Sequence, residues 1–322
     1  MIISASRRTD IPAFYSRWFM NRVREGFVLT RNPFNPHQIR RVSLAPEDVD
    51  AIVFWTRNAG KLIDCMPELN RIGYNYYVHY TITGYPRILE THVPNPLQAI
   101  ETFCRLSELI GPDRVIWRYD PILLSNAVPL DEHKRLFSKI AGLLAGRTRR
   151  VMISFADFYK KTERNLKLID GLATADLRTQ SDKLFELVTH MAEQARVHGM
   201  SISSCAEIMD LDTLGISHGK CIDETLLRQE FQLNLSAAKD KGQRPGCGCI
   251  KSVDIGSYNT CLHGCAYCYA TFNEAMVEKN REQHDADSPL LIGSIEEAGS
   301  FAATRKKQPD LLQEAGNCNQ PI

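Results

Sequence analysis

Short apolar runs rich in β-branched and aromatic residues alternate, over the first two-thirds of the chain, with longer runs of helical period. Segments 2–5, 51–55, 75–80, 114–118, 150–154 and 201–205 are mostly apolar, which predicts buried strands of a parallel sheet. Between them, Asn95-Pro96 reads as an N-cap followed by proline at the first helical position. Leu97, Ile100, Phe103, Cys104 and Ile110 then share one face, and Gly111 ends the helix. A second helix is expected from Ser181, with Leu184, Leu187, Val188, Met191 and Ala195 turned inward and Gly199 as its stop. Residues 28–30 and 40–44, separated by Asn-Pro turns, read as an inserted hairpin. Strand–helix alternation at this spacing implies an α/β fold with a parallel sheet. Six or more such units predict a full or partial parallel β/α barrel of the TIM type rather than an open doubly wound sheet. No GxGxxG or GxxxxGK[ST] sequence follows an expected strand, so a nucleotide-binding open sheet gains no support.

Polar residues gather where these strands end: Ser6-Arg7-Arg8-Thr9-Asp10, Thr56-Arg57-Asn58, Arg118 with Asp120, Asp157, and Ser203, Ser204 and Glu207. Barrel enzymes build their sites at the C-terminal ends of strands. Arg118, Asp120 and Glu207 are therefore candidates for catalysis, and Arg7, Arg8 and Asp10 for holding a cofactor or substrate. An arginine grips carboxylate or phosphate bidentately, and an acidic residue accepts from ribose hydroxyls. Helix capping is the other use of Asp and Ser at such places.

The chain has 322 residues, 43% hydrophobic and 24% charged, with a formal net charge of +1. That balance gives no electrostatic footprint for general nucleic-acid binding, and the basic runs at 40–41, 147–150 and 305–307 read as solvated faces. No stretch approaches the roughly 20 consecutive apolar residues of a membrane span. The start, MIISASRRTDIP, is not patterned as a secretory signal, so a cytoplasmic protein is expected. Ten cysteines are many for such a chain, and eight lie after residue 200. In a reducing compartment their expected purpose is metal binding or redox chemistry.

Cys261-Leu-His-Gly-Cys265-Ala-Tyr-Cys268 has the spacing CxxxCxxC. Three thiolates so close on one loop can converge on a cluster or metal ion, and Gly264 eases the tight path between the first two. Residues 250–255 read as a strand just before the loop, and 270–279 as a helix after it.

With Tyr267 just before the third cysteine, the motif resembles that of radical S-adenosylmethionine enzymes. The resemblance implies that Cys261, Cys265 and Cys268 hold a 4Fe-4S cluster whose fourth iron is chelated by S-adenosylmethionine, with Tyr267 beside the adenine. It also implies one-electron cleavage to a 5′-deoxyadenosyl radical that abstracts hydrogen from an organic or nucleotide-like substrate. An electron donor such as flavodoxin or ferredoxin is the implied partner. Members of that superfamily carry the motif after the first strand of a partial β/α barrel. Here it comes last, so the layout resembles a circular permutation. The sequence also resembles an uncharacterised bacterial family, a domain of unknown function with its cysteine cluster at the C-terminus. The stretch from Cys247-Gly-Cys249 to Cys268-Tyr-Ala and the segment 284–293 carry that likeness, and they are similar also to spore photoproduct lyase-like proteins. The expected organisation is a barrel body over 1–245, a strand, metal loop and helix over 246–295 that complete it, and a polar tail over 296–322.

Cys205, Cys221, Cys247 and Cys249 form a second set of four, a complete ligand set for an auxiliary iron–sulfur cluster. Buried unligated thiols are the alternative. Cys65 and Cys104 fall on apolar helical faces and read as core, Cys318 lies in the tail, and His263 is expected to pack rather than bind metal. Three other functions remain open: an iron–sulfur redox or electron-transfer protein, a zinc-stapled barrel in which Cys247 or Cys249 completes the CxxxCxxC set, and a nucleic-acid or nucleotide repair enzyme.

Overall fold

The computed structural model describes residues 1–293, without the side chains of residues 36 and 37. The expected polar tail and Cys318 lie outside the described residues. Along the chain run strands β1 (Ile2–Ala5), β2 (Phe27–Asn32), β3 (Asn35–Ser43), β4 (Ala51–Thr56), β5 (Tyr76–Thr81), β6 (Val115–Ile122), β7 (Leu124–Ser125), β8 (Arg150–Phe155), β9 (Thr174–Ala175), β10 (Ser201–Cys205), β11 (Ser217–Gly219) and β12 (Val253–Asp254). The α-helices are α1 (Ile11–Phe14), α2 (Ser16–Glu25), α3 (Gly60–Ile72), α4 (Pro96–Ile110), α5 (Leu130–Leu143), α6 (Lys160–Leu166), α7 (Ser181–Val197), α8 (Glu224–Phe231) and α9 (Glu274–Glu282).

Eight strands form one sheet in the order β11-β10-β8-β6-β5-β4-β1-β12. The pairings β12–β1, β1–β4, β5–β6, β6–β8, β8–β10 and β10–β11 are parallel. From β1 to β11 the order runs one way across the sheet, and β12 joins the opposite edge beside β1. The sheet is not closed, so of the expected full or partial barrel the full form is not what the sheet shows. Its outermost strands, of three and two residues, offer few ladder bonds. The expected strand over 250–255 contributes only Val253 and Asp254 to the sheet. Ile250 instead bridges Lys239.

The chain divides into two compact units. The first comprises Met1–Tyr76, Ser252–Leu262 and the described residues from 270 on; the second comprises Tyr77–Lys251 and His263–Tyr269. In the first, β1 lies between β4 and β12. Phe19, Phe54 and Tyr76 stack edge to face, and the Trp18 indole donates to the Ser288 carbonyl at 3.0 Å. The hairpin β2–β3 is antiparallel as its turns predict, and Phe27 and Leu29 pack on Leu290. Helix α9 starts at Glu274 rather than at 270. Residues ahead of it are held by Asn259, whose N–H donates to the Ala270 carbonyl and whose side chain accepts from Phe272 N, while Asn273 caps Met276 N.

In the second unit, α4 begins after the Asn95 cap and ends before Gly111, and α7 begins at Ser181. Cys104 is half-buried rather than core. Tyr85 and Tyr119 meet the His133 ring edge to face, and His133 is fully buried between the Tyr119 hydroxyl (3.0 Å) and the Leu123 carbonyl (3.2 Å). Burial drives the His133 pKa down to about 4, although its hydrogen bond to Leu123 works the other way. The folded state thus keeps His133 neutral while the unfolded chain takes up a proton near pH 6.5. Stability from this site is present above pH 6.5 and is lost as pH falls toward 4. Urea unfolding of the protein and a His133→Phe variant should show the wild type losing about 3 kcal/mol relative to the variant between pH 7 and pH 4. Parallel pH profiles would refute this account.

Candidate metal centres

The loop His263–Tyr269 belongs to the second unit, where it lies along residues 85–92. His92 N donates to the His263 carbonyl (2.9 Å), Ala266 N donates to the Leu89 carbonyl (2.9 Å), and Glu90 and Cys265 form an antiparallel bridge. Glu90, itself buried, accepts from both Thr83 Oγ1 (2.6 Å) and the Tyr267 hydroxyl. The Tyr267 ring meets Tyr85 edge to face at 6.1 Å. Gly264 has φ +64°, a left-handed conformation that glycine adopts at least cost, and a Cβ there would press on Thr91 and His92. Cys268 N donates to the Cys265 carbonyl (3.0 Å), which closes the turn between the second and third cysteines. Both thiols are half-buried, whereas Tyr267 and His263 are buried. Glu90 gave no signal in the sequence, because its role depends on a tyrosine 177 residues away.

Cys261 belongs to the first unit and is also half-buried. Beside it, Thr260 accepts the Tyr15 hydroxyl through its carbonyl at 2.5 Å. Burial, with the nearby Cys261 thiolate, raises the Tyr15 pKa far above its usual value. The polar residues after β1 center on Asp254. Its carboxylate accepts from Ser4 Oγ (2.7 Å), Ser6 Oγ (2.9 Å), Arg7 N (2.8 Å) and Gly256 N (3.0 Å). Arg7 lies over Trp55 and Arg8 over Tyr258. Asp10 caps α1 through Ala13 N (2.9 Å) and accepts from Arg57 N (2.7 Å), so its oxygens serve the backbone.

The second cysteine set lies wholly in the second unit, and all four residues are buried. The Cys205 and Cys221 sulfurs are 2.9 Å apart. Cys249 interacts through its thiol with both Cys221 and Cys247, and its sulfur accepts from Ile222 N at 3.4 Å. Arg118 reaches the group from β6, with Nη1 3.0 Å from Cys221 Sγ and 3.1 Å from Met152 Sδ, while its Nε donates to Asp120 at 2.8 Å. Asp120 in turn accepts from Ser154. Burial works against the Arg118 charge, but Asp120 and the adjoining thiolates outweigh it and hold the pKa above the ordinary arginine range. The hydrogen bond with Cys221, then burial, pushes the Cys205 thiol up, whereas the Cys247 thiol is brought down to about 7 by its bond with Cys249.

Glu207 sits apart from this arginine. Its Oε1 accepts from Phe155 N (2.9 Å), and Arg178 is 4.0 Å from its other oxygen. Burial raises its pKa above the carboxylate range. Arg178 also holds Asp157 and Asp176, and Arg244 pairs with Asp157. Neither arginine was marked by the sequence pattern, since neither follows an expected strand.

Among the described residues, no three or more His, Cys, Asp or Glu side chains are already spaced around a common point for a metal ion. The 2.9 Å contact illustrates why. It exceeds the roughly 2.05 Å of a disulfide but falls short of the roughly 3.8 Å between sulfurs on a tetrahedral ion with bonds of about 2.3 Å. Also among the described residues, no helix is long and apolar enough to cross a membrane.

The model of a family described as a domain of unknown function, DUF1848, matches residues 2–270. The chain belongs to the DUF1848 family. No curated protein and no solved structure is similar enough to it to count as a match.

Two tests address this geometry in the DUF1848 chain. Removing one member of a buried ion pair leaves the other charge uncompensated. Arg118→Ala should therefore lower the unfolding free energy by about 3 kcal/mol, and Arg118→Ala/Asp120→Ala should cost clearly less than the two single changes added together. Additive losses in denaturant unfolding would show that the pair is not coupled. Glu90→Ala should speed amide exchange across residues 263–269 while leaving α7 protected, and unchanged exchange in the loop would remove Glu90 as its anchor.

Proposed function

We propose that this DUF1848 chain is an iron–sulfur enzyme of the radical S-adenosylmethionine type, built on a partial, circularly permuted β/α barrel. The observation that carries the reading is the placement of β12. The strand just before CxxxCxxC pairs in parallel with β1 at the edge of the sheet, where a first strand supplied last would stand. The one-way order from β1 to β11 supports the barrel part of the proposal.

Cys261, Cys265 and Cys268 would hold the cluster. Their donor chemistry fits, since thiolates are its usual ligands, and their half-buried thiols leave access for a small molecule on an open iron. When bound, the cluster and S-adenosylmethionine supply one-electron hydrogen-abstraction chemistry, and the protein supplies orientation and exclusion of water. Tyr267, fixed by Glu90 and Tyr85, would set the loop's path beside the adenine. Arg118 with Asp120 would offer a positioned charge within β6. Glu207, with its raised pKa, is suited to hold or give up a proton. Arg7 and Arg8 would be the residues to meet an anionic group. The substrate would be a small organic or nucleotide-like molecule, with flavodoxin or ferredoxin as electron donor.

Anaerobic purification with iron and sulfide analysis, followed by electron paramagnetic resonance of the dithionite-reduced protein, tests the proposal. A reduced-cluster signal that shifts on adding S-adenosylmethionine, with 5′-deoxyadenosine formed over time, is the expected result. Both should vanish in a Cys261→Ala/Cys265→Ala/Cys268→Ala variant. A cluster indifferent to S-adenosylmethionine would mean electron transfer or redox sensing instead, and zinc bound by these three cysteines would make the loop a structural staple.

A further inference from the structure

We infer that Cys205, Cys221, Cys247 and Cys249 form a second metal centre, a four-thiolate site for one thiophilic divalent ion, zinc or ferrous iron. This goes beyond the proposed function and does not depend on it.

Three chain segments bring these sulfurs together: the end of β10, the residues after β11, and the loop before β12. They link as a continuous series, Cys205 to Cys221 at 2.9 Å, then Cys221 to Cys249 and Cys249 to Cys247. None of the four is joined in a disulfide. As neutral thiols they gain little from one another, because S–H is a weak donor and sulfur a weak acceptor. As thiolates without a cation they would repel. A shared divalent ion resolves both problems, and binding it releases the thiol protons.

Two donors face these sulfurs. Ile222 N donates to Cys249 Sγ at 3.4 Å and Arg118 Nη1 to Cys221 Sγ at 3.0 Å, the kind of outer contacts that orient metal ligands. The segments are also locked in register. Asp240 N donates to the Cys249 carbonyl (2.9 Å), Ile250 N to the Ile222 carbonyl (3.2 Å) and Cys247 N to the Arg244 carbonyl (3.0 Å). Gly246 comes so near the end of β10 that a Cβ would lie 2.8 Å from the Ala206 carbonyl oxygen. At Gly219 it would lie 2.6 Å from Ser203 Oγ, so these strands and loops approach more closely than a larger residue permits.

Contact distance selects the occupant. Opening Cys205 and Cys221 from 2.9 Å to the roughly 3.8 Å set by one tetrahedral ion asks only small side-chain rotations. In a [4Fe–4S] cluster each thiolate binds a different iron, which demands a wider separation. The inference therefore assigns one closed ion where the cysteine count alone allows an auxiliary iron–sulfur cluster.

The full-length Cys261→Ala/Cys265→Ala/Cys268→Ala variant isolates this site from the proposed cluster. Purified anaerobically, it should retain about one equivalent of zinc or iron with no acid-labile sulfide, and metal analysis tells the two ions apart. Adding Cys249→Ser should release that ion, whereas adding Cys104→Ser, outside the group, should not. If the Cys249→Ser chain does not fold, cobalt(II) exchange into the triple variant gives an independent reading: intense tetrahedral bands with thiolate charge transfer are expected. No bound metal together with absent cobalt bands, a Cys205–Cys221 disulfide found by mass spectrometry, or several irons with labile sulfide would each overturn the inference. Retention of one ion by the triple variant supports it even if the intact protein ignores S-adenosylmethionine.

Discussion

The parallel pairing of β1 with β12 is the constraint on which the first unit depends. It joins Ser4 to Asp254 across 250 residues of sequence and makes the first and last strands neighbours in one sheet. Only two residues of β12 form the ladder, so backbone pairing alone is a weak tie. The Asp254 carboxylate strengthens it by accepting two serine hydroxyls and two backbone N–H groups. Charge-assisted bonds of this kind are stronger than neutral ones, and here they gather the polar turn after β1 around one anion. The segment leading to Cys261 starts from this fixed point.

In the second unit the organising interaction is Arg118 between an acid and a sulfur cluster. A guanidinium on a buried strand needs several acceptors, and Asp120, Met152 and Cys221 supply them from one side. Ser154 and the ladder between β6 and β8 hold Asp120 and Met152 in place. The sulfur contacts thus rest on a sheet whose register is already set, while Glu207 joins a separate network of Arg178, Asp157 and Arg244.

Local pattern carried much of the fold. Apolar runs located β1 and β10 to the residue, and the Asn95-Pro96 and Gly111 signals bounded α4, because capping and period act over a few residues. Local pattern failed where a distant partner intervened. Asn259 binds the backbone of 270–272 and so delays α9, and Ile250 leaves the expected strand to bridge Lys239. Asp10, expected from its strand-end position to hold a cofactor or substrate, accepts from Ala13 N and Arg57 N, the second a contact that the local pattern does not give.

By itself the sequence determined the identity and spacing of the thiols, the alternation that makes a parallel sheet, and the helix ends, all of which follow from residue type and short-range periodicity. Tertiary structure alone decided that four cysteines from three segments touch, that Glu90 anchors Tyr267, and that the sheet stays open. Those outcomes depend on which strands pair and how closely loops approach, and such long-range contacts leave no periodic trace in the chain.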